Sequence, residues 1–194
     1  ELFGWHDRAP RPRSRREGRW LIGTGLASAL YPVTQPVNPQ RARARIYNDG
    51  TAVVEAGVSE FGTGVFTAMT QVAADALGLP VERVRFVGGS SDLPNITAAV
   101  GSAGTSAVGS AVHLAACQLR DELIRRAVAD DHSPLRGADP ARVEVRDGKM
   151  VLCDRPDVGE TYADLLHRTM TPDVEVLGTW NPPPQDAGYG VHTF

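Results

Sequence analysis

The sequence predicts an α+β domain: two layers, with antiparallel hairpins packed on two main helices. Two observations carry that expectation. Asp49-Gly50 and Asp147-Gly148 each separate two alternating runs, the strongest short-range hairpin signal. Two long stretches with apolar residues three or four apart each follow a glycine-rich turn. Hairpins mixed with packed helices point to α+β rather than to a sheet of parallel βαβ units.

Taken in order, residues 8–19 hold Arg8, Arg11, Arg13, Arg15, Arg16 and Arg19 among prolines and small polar residues. They read as an extended, solvated basic arm, residues 1–18, ahead of a domain spanning 19–194. Arg19 to Ala29 begins like a buried strand, and Pro32, Pro36 and Pro39 punctuate a loop. Arg43 to Tyr47 and Ala52 to Val58 flank Asn48-Asp49-Gly50 as a hairpin. The second strand runs into the first glycine-rich turn, Glu60-Phe61-Gly62-Thr63-Gly64-Val65-Phe66-Thr67. From Val65 to Leu77 the spacing of Val65, Met69, Val72, Ala73, Ala76 and Leu77 is helical, and Gly78 ahead of Leu79-Pro80 stops the helix. Val81 to Val87 alternates as a strand, and Gly88 to Asn95 is a long turn.

The second glycine-rich stretch, Val100-Gly101-Ser102-Ala103-Gly104-Thr105-Ser106, leads into a helix from about Ser106 to Ala129. Arg142 to Val145 and Lys149 to Leu152 form the second hairpin. Thr161 to Leu166 reads as a short helix capped by Glu160 or Thr161. Val174 to Thr179 is a last strand, and Pro182-Pro183-Pro184 marks a linker.

Composition removes several classes. A net charge of -3 argues against general nucleic-acid binding. No apolar run approaches the roughly 20 residues of a membrane span. Cys117 and Cys153 form no ligand-spaced pair, so no zinc or iron–sulfur site is expected, and Cys117 reads as a small buried hydrophobe. His6, His113, His132, His167 and His192 are scattered, in neither a metal spacing nor a triad. The chain starts at Glu1 without an initiator methionine and is expected to be a piece of a longer protein.

Chemistry concentrates at the two turns. A helix start leaves backbone N–H groups unpartnered and carries partial positive charge, and glycine admits a ligand close to them. Two such starts predict a grip on an anionic, phosphate-bearing cofactor. The candidate contacts are Gly62, Thr63 and Gly64, then Gly101, Ser102, Ala103, Gly104 and Thr105. The first turn departs from the dinucleotide fingerprint, because Thr67 holds the third glycine position. No Walker lysine follows either turn. The alternative is that these glycines only permit tight packing. No acid, base or nucleophile stands beside the turns in a catalytic pattern, so no catalytic residue and no metal ligand is expected in this chain. A non-catalytic phosphate- or nucleotide-binding module is the competing function.

Three ordered blocks resemble the large, molybdenum-binding subunit of the xanthine dehydrogenase and aldehyde oxidoreductase family. They are GVSEFGTGVFTAMTQVAADALGLP (57–80), VERVRFVGGSSDLP (81–94) and GSAGTSAVGSAVHLAACQLR (101–120), with RWLIGTGLASALYP (19–32) ahead of them. The resemblance implies the fold of that family's second molybdenum cofactor-binding region and a bacterial oxidoreductase acting on an aldehyde or a heterocycle. It implies molybdenum carried by molybdopterin, in the cytosine dinucleotide form that the Gly-Thr-Gly version of the first turn suggests. The family's first turn commonly reads Gly-Gln-Gly, and Thr63 stands in the glutamine's place. The family's Gly-x-Gly-Glu motif with the catalytic glutamate, its Phe-Gly-Gly turn and its cluster cysteines are absent. Iron–sulfur clusters and FAD are therefore expected on other subunits or regions. The implied partners are the remainder of the large subunit and the iron–sulfur and FAD subunits. The expected compartment is the cytoplasm, with the periplasm as the alternative, and the segment alone is expected to be inactive.

Overall fold

The computed structural model describes residues 4–27, 38–94, 99–100 and 104–182. The chain divides into two compact units, residues 1–31 with 191–194, and residues 32–190. The loop expected around Pro32 and Pro36 and most of the linker at Pro183-Pro184 lie outside the described residues.

In the first unit, β1 (Arg15–Glu17) and β2 (Trp20–Ile22) pair antiparallel, with Glu17 opposite Trp20. The sequence suggests a buried strand here, but Trp20 is 67% and Leu21 56% exposed. A two-stranded hairpin has no second layer of its own to bury against. Part of the basic arm is thus strand, and the Arg15 guanidinium pairs with Glu17 at 2.6 Å.

The second unit is built on a four-stranded sheet ordered β5-β4-β3-β9, from β3 (Gln40–Tyr47), β4 (Ala52–Glu55), β5 (Val84–Val87) and β9 (Asp173–Trp180). In β3 the sequence alternates strictly. Gln40, Ala42, Ala44 and Ile46 are buried, while Arg41, Arg43 and Arg45 point to the opposite face. There Arg43 pairs with Glu55 on one side and Glu175 on the other, so the open face is laced by charge across three strands. The buried face lies under α1 (Val65–Leu77) and α2 (Gly109–Ala129). Small residues on α2 (Ala111, Ala115, Ala116) let it lie close to the sheet. A Cβ added at Gly178 of β9 would sit 2.7 Å from the Ala115 Cα. Leu119 and Leu123 on the same helix are fully buried, each contributing about 1.5–3 kcal/mol.

The fold class is α+β, as the hairpin signals imply, but the sheet is mixed. β4 pairs antiparallel with β3 and parallel with β5, so β4-α1-β5 is one βαβ unit inside a sheet expected to hold hairpins only. Register is the reason that this escapes sequence reading: hairpin partners are named by the turn between them, parallel partners by nothing local.

A second sheet is fully antiparallel, β6 (Val143–Arg146), β7 (Lys149–Leu152) and β8 (Arg155–Thr161). The short helix α3 (Tyr162–Arg168) starts at a capping box in which the Thr161 hydroxyl accepts from the Asp164 N–H and the Asp164 carboxylate accepts from the Thr161 N–H. Tyr162 is buried, and its hydroxyl donates to the Leu77 carbonyl at 2.8 Å, tying α3 to the end of α1. Arg168 clasps the almost fully buried Glu160 carboxylate with two nitrogens and Asp130 with a third. Ser133 donates to the same Glu160, so the loop after α2 is pinned to the second sheet.

Candidate functional site

Both glycine-rich turns follow the carboxyl ends of parallel strands. β4 ends at Glu55 and leads through residues 56–64 into α1, while β5 ends at Val87 and leads through residues 88–103 towards α2. Adjacent parallel strands lie about 4.8 Å apart, so they deliver their following loops to the same edge of the sheet. Three backbone bonds lash the two loops together. The Ala56 N–H donates to the Val87 carbonyl at 3.2 Å, Gly57 to Pro94 at 2.8 Å and Gly89 to Val58 at 2.8 Å.

The two turns share one cavity of about 330 Å³. From the first come Phe61, Thr63 and Val65, and from the second Gly104 and Thr105, with Ser59 and Val100 completing much of the wall. Among the described residues, no charged side chain lines it. Its polar groups are the hydroxyls of Ser59, Thr63 and Thr105 and the local backbone. Gly101, Ser102 and Ala103 lie outside the described residues.

α1 begins at Val65, where the spacing of its apolar residues places it, with Gly64 as its N-cap at φ 75°. Gly62 has φ 105°. Both conformations are accessible to glycine and strained for other residues, so the turn needs its glycines for shape. The donors of this turn are not all free, as a bare helix start would leave them. The Glu60 carboxylate accepts from the N–H groups of Gly62 (2.8 Å), Gly64 (3.1 Å) and Phe66 (3.2 Å) and from the Thr63 hydroxyl (3.4 Å). Partial desolvation opposes its charge, but the donors of Phe66, Gly62, Gly64 and Thr63 outweigh this and hold its pKa down at about 2. The Thr63 N–H also faces the Glu60 carboxylate, whereas the Val65 N–H has no partner among the described residues.

The second helix starts earlier than the apolar spacing suggests. A π-helical turn, Gly104–Val108, precedes α2, so Gly104 and Thr105 belong to the helix rather than to the loop before it. The wide turn adds a residue without breaking the helix, which is why spacing alone places the start near Ser106. Gly104 has no positive φ, and a Cβ built on it meets nothing within 4 Å.

Other expected positions fall away from the cavity. Cys117 is half-buried rather than core, with its sulfur 3.6 Å from the His113 ring one turn back on α2. Burial pushes its thiol pKa up, which keeps it protonated and unreactive. No cluster of three potential metal ligands occurs among the described residues. A larger cleft of about 610 Å³ lies between the end of α1, α2 and β6, but Asp75, Arg120, Asp121 and Arg125 line it and neither turn reaches it.

Comparison with known proteins bears on what the cavity holds. The family model described as "Molybdopterin cofactor-binding domain" matches residues 1–194. The chain is 34% identical over 150 residues to the aldehyde oxidoreductase molybdenum-binding subunit PaoC of Escherichia coli K12, covering 77% of this chain and 19% of that protein. It is 28% identical over 166 residues to the probable hypoxanthine oxidase XdhD of the same organism, covering 83% of this chain and 17% of that protein. The chain thus spans about a fifth of the length of these relatives. Among solved structures, quinoline 2-oxidoreductase from Pseudomonas putida 86 aligns with a TM-score of 0.62 at 23% identity, over 74% of this chain and 19% of that one. This last likeness is one of fold.

Proposed function

Since the chain belongs to the molybdopterin cofactor-binding domain family, we propose that the cavity between its two turns walls part of a molybdopterin cofactor in an oxidoreductase of the aldehyde oxidoreductase and xanthine dehydrogenase type. The observation that carries this reading is Gly104. Among the described residues, neither backbone strain nor packing requires a glycine there, and Gly104 itself lines the cavity. A cavity of about 330 Å³ is at the small end of ligand sites, so this chain forms one wall and other parts of the enzyme form the rest.

Thr63, Gly104 and Thr105 would hold the cofactor directly, with Gly101, Ser102 and Ala103 beside them, while Gly62 and Gly64 give the first turn its shape. When bound, molybdopterin supplies the redox-active metal for oxidising an aldehyde or hydroxylating a heterocycle. This chain's own part is to bind, orient and exclude water. Among the described residues its cavity is lined by hydroxyls and apolar groups, with no carboxylate or imidazole to act as a general base. The base, the substrate funnel and the iron–sulfur and FAD centres belong to other regions or subunits, and the segment alone does not turn over. The cytosine dinucleotide form of the cofactor is the one implied by the resemblance of the Gly-Thr-Gly turn to that of bacterial aldehyde oxidoreductases.

The test uses the full-length protein. Metal analysis is expected to find molybdenum, and acid hydrolysis to release CMP. In Gly104→Val, molybdenum per folded subunit is expected to fall about tenfold or more, since filling a packed contact costs about 1–3 kcal/mol. Full occupancy in a well-folded Gly104→Val protein would refute the assignment, and release of a different nucleotide would refute the cytosine form.

A further inference from the structure

The first turn is two-sided. Its even-numbered amides, Gly62, Gly64 and Phe66, all donate to Glu60. Its odd-numbered residues, Phe61, Thr63 and Val65, line the cavity. A single carboxylate therefore satisfies the donors that a phosphate would otherwise take at this helix start. Both its oxygens are engaged, Oε1 by Gly62, Gly64 and Thr63 and Oε2 by Phe66. The second turn, residues 100–106, has no acidic side chain of its own. No acidic residue lies between Asp92 and Asp121 in the sequence, so no internal anion from that segment can occupy it.

We infer that Glu60 is a positioning residue, the resident anion of the first turn, which forms that turn before any cofactor arrives and keeps the cofactor's phosphate away from it. The inference rests on the proposed cofactor reading for its second half only. The cavity side of the first turn then offers an uncharged surface, the Val65 N–H as donor and the Thr63 hydroxyl oxygen as acceptor, suited to the uncharged hydrogen-bonding part of the ligand. Charge repulsion from Glu60 disfavours a phosphate on that side. The depressed pKa agrees, since four donors converging on one carboxylate stabilise its charged form.

The experiment uses full-length protein produced without molybdopterin, with amide exchange followed at residues 60–68. In the wild type, Gly62, Gly64 and Phe66 are expected to be protected with no cofactor present, and added inorganic phosphate leaves them unchanged. In Glu60→Ala their exchange rises roughly tenfold or more, the scale of losing a hydrogen bond to a charged group, and inorganic phosphate restores protection. Glu60→Gln, which keeps the shape but loses the charge and one acceptor, falls between. Restoration by phosphate separates a missing anion from mere loss of packing. Unprotected amides in the cofactor-free wild type would overturn the inference, as would phosphate protecting the wild-type turn as well as it protects Glu60→Ala. No molybdenum enters these measurements, so they fail independently of the Gly104→Val test of the cofactor site.

Discussion

At the first turn the glycines serve the chain itself. Gly62 and Gly64 hold φ values of 105° and 75°, and the donors that they release are taken up again by Glu60. At the second turn Gly104 has no such conformation to justify it, and a side chain there would meet no neighbour within 4 Å. The first turn satisfies most of its donors with its own carboxylate, while Gly104 of the second starts a helix at a φ open to any residue. Two glycine motifs that look alike as text thus differ in what their backbones require. The backbone angle tells them apart, and the motif does not.

The sharpest test of that contrast pairs two valines. Gly104→Val is expected to lower cofactor content about tenfold or more while the melting temperature of the folded chain stays within a few degrees of wild type. Gly64→Val is expected to do the reverse first. A β-branched residue in the left-handed region costs about 1–2 kcal/mol, read as a lower urea midpoint or a melting temperature lower by several degrees. Equal loss of stability in both would break the contrast. Thr63→Ala is a smaller change. One hydrogen bond is worth about 0.5–1.5 kcal/mol net, so cofactor affinity should fall only a few-fold in an equilibrium titration of the full-length protein.

The smallest effect is one of pH. The folded pKa of Glu60, about 2, lies below its ordinary value of 4.5. Its contribution to the turn is therefore complete above about pH 4.5 and is lost only as the pH falls through about 2. Amide protection at Gly62 and Gly64 should be flat between pH 7 and 5, and a titration near pH 6 would assign the protection to another group.

Much of this was legible before any coordinates. The span of α1 follows from its apolar spacing, and both Asp-Gly hairpins lie where their turns place them. β8 was not legible, because Arg-Pro-Asp-Val-Gly-Glu-Thr has no alternation, and its pairing with β7 carries a register shift at Val151/Leu152. The parallel pairing of β4 with β5 was not legible either, yet it is what brings the two turns to one edge. The role of Glu60 was half legible. A glutamate two residues before the first glycine is plain in the text, but its reach to three amides depends on the φ values of Gly62 and Gly64, which no pattern states.

The pairing of β3 with β9 sets an order of events. Arg45 meets Glu175 across 130 residues of sequence, and α2 presses Ala115 against Gly178 of the same late strand. Contacts so distant along the chain form slowly, because the intervening loop must close before they contribute. During synthesis both turns and both helices leave the ribosome well before β9 does. Until β9 docks, α2 lacks part of the floor on which its start is aimed. This late strand, remote from the cavity in sequence, therefore sets when the second turn acquires its final aim.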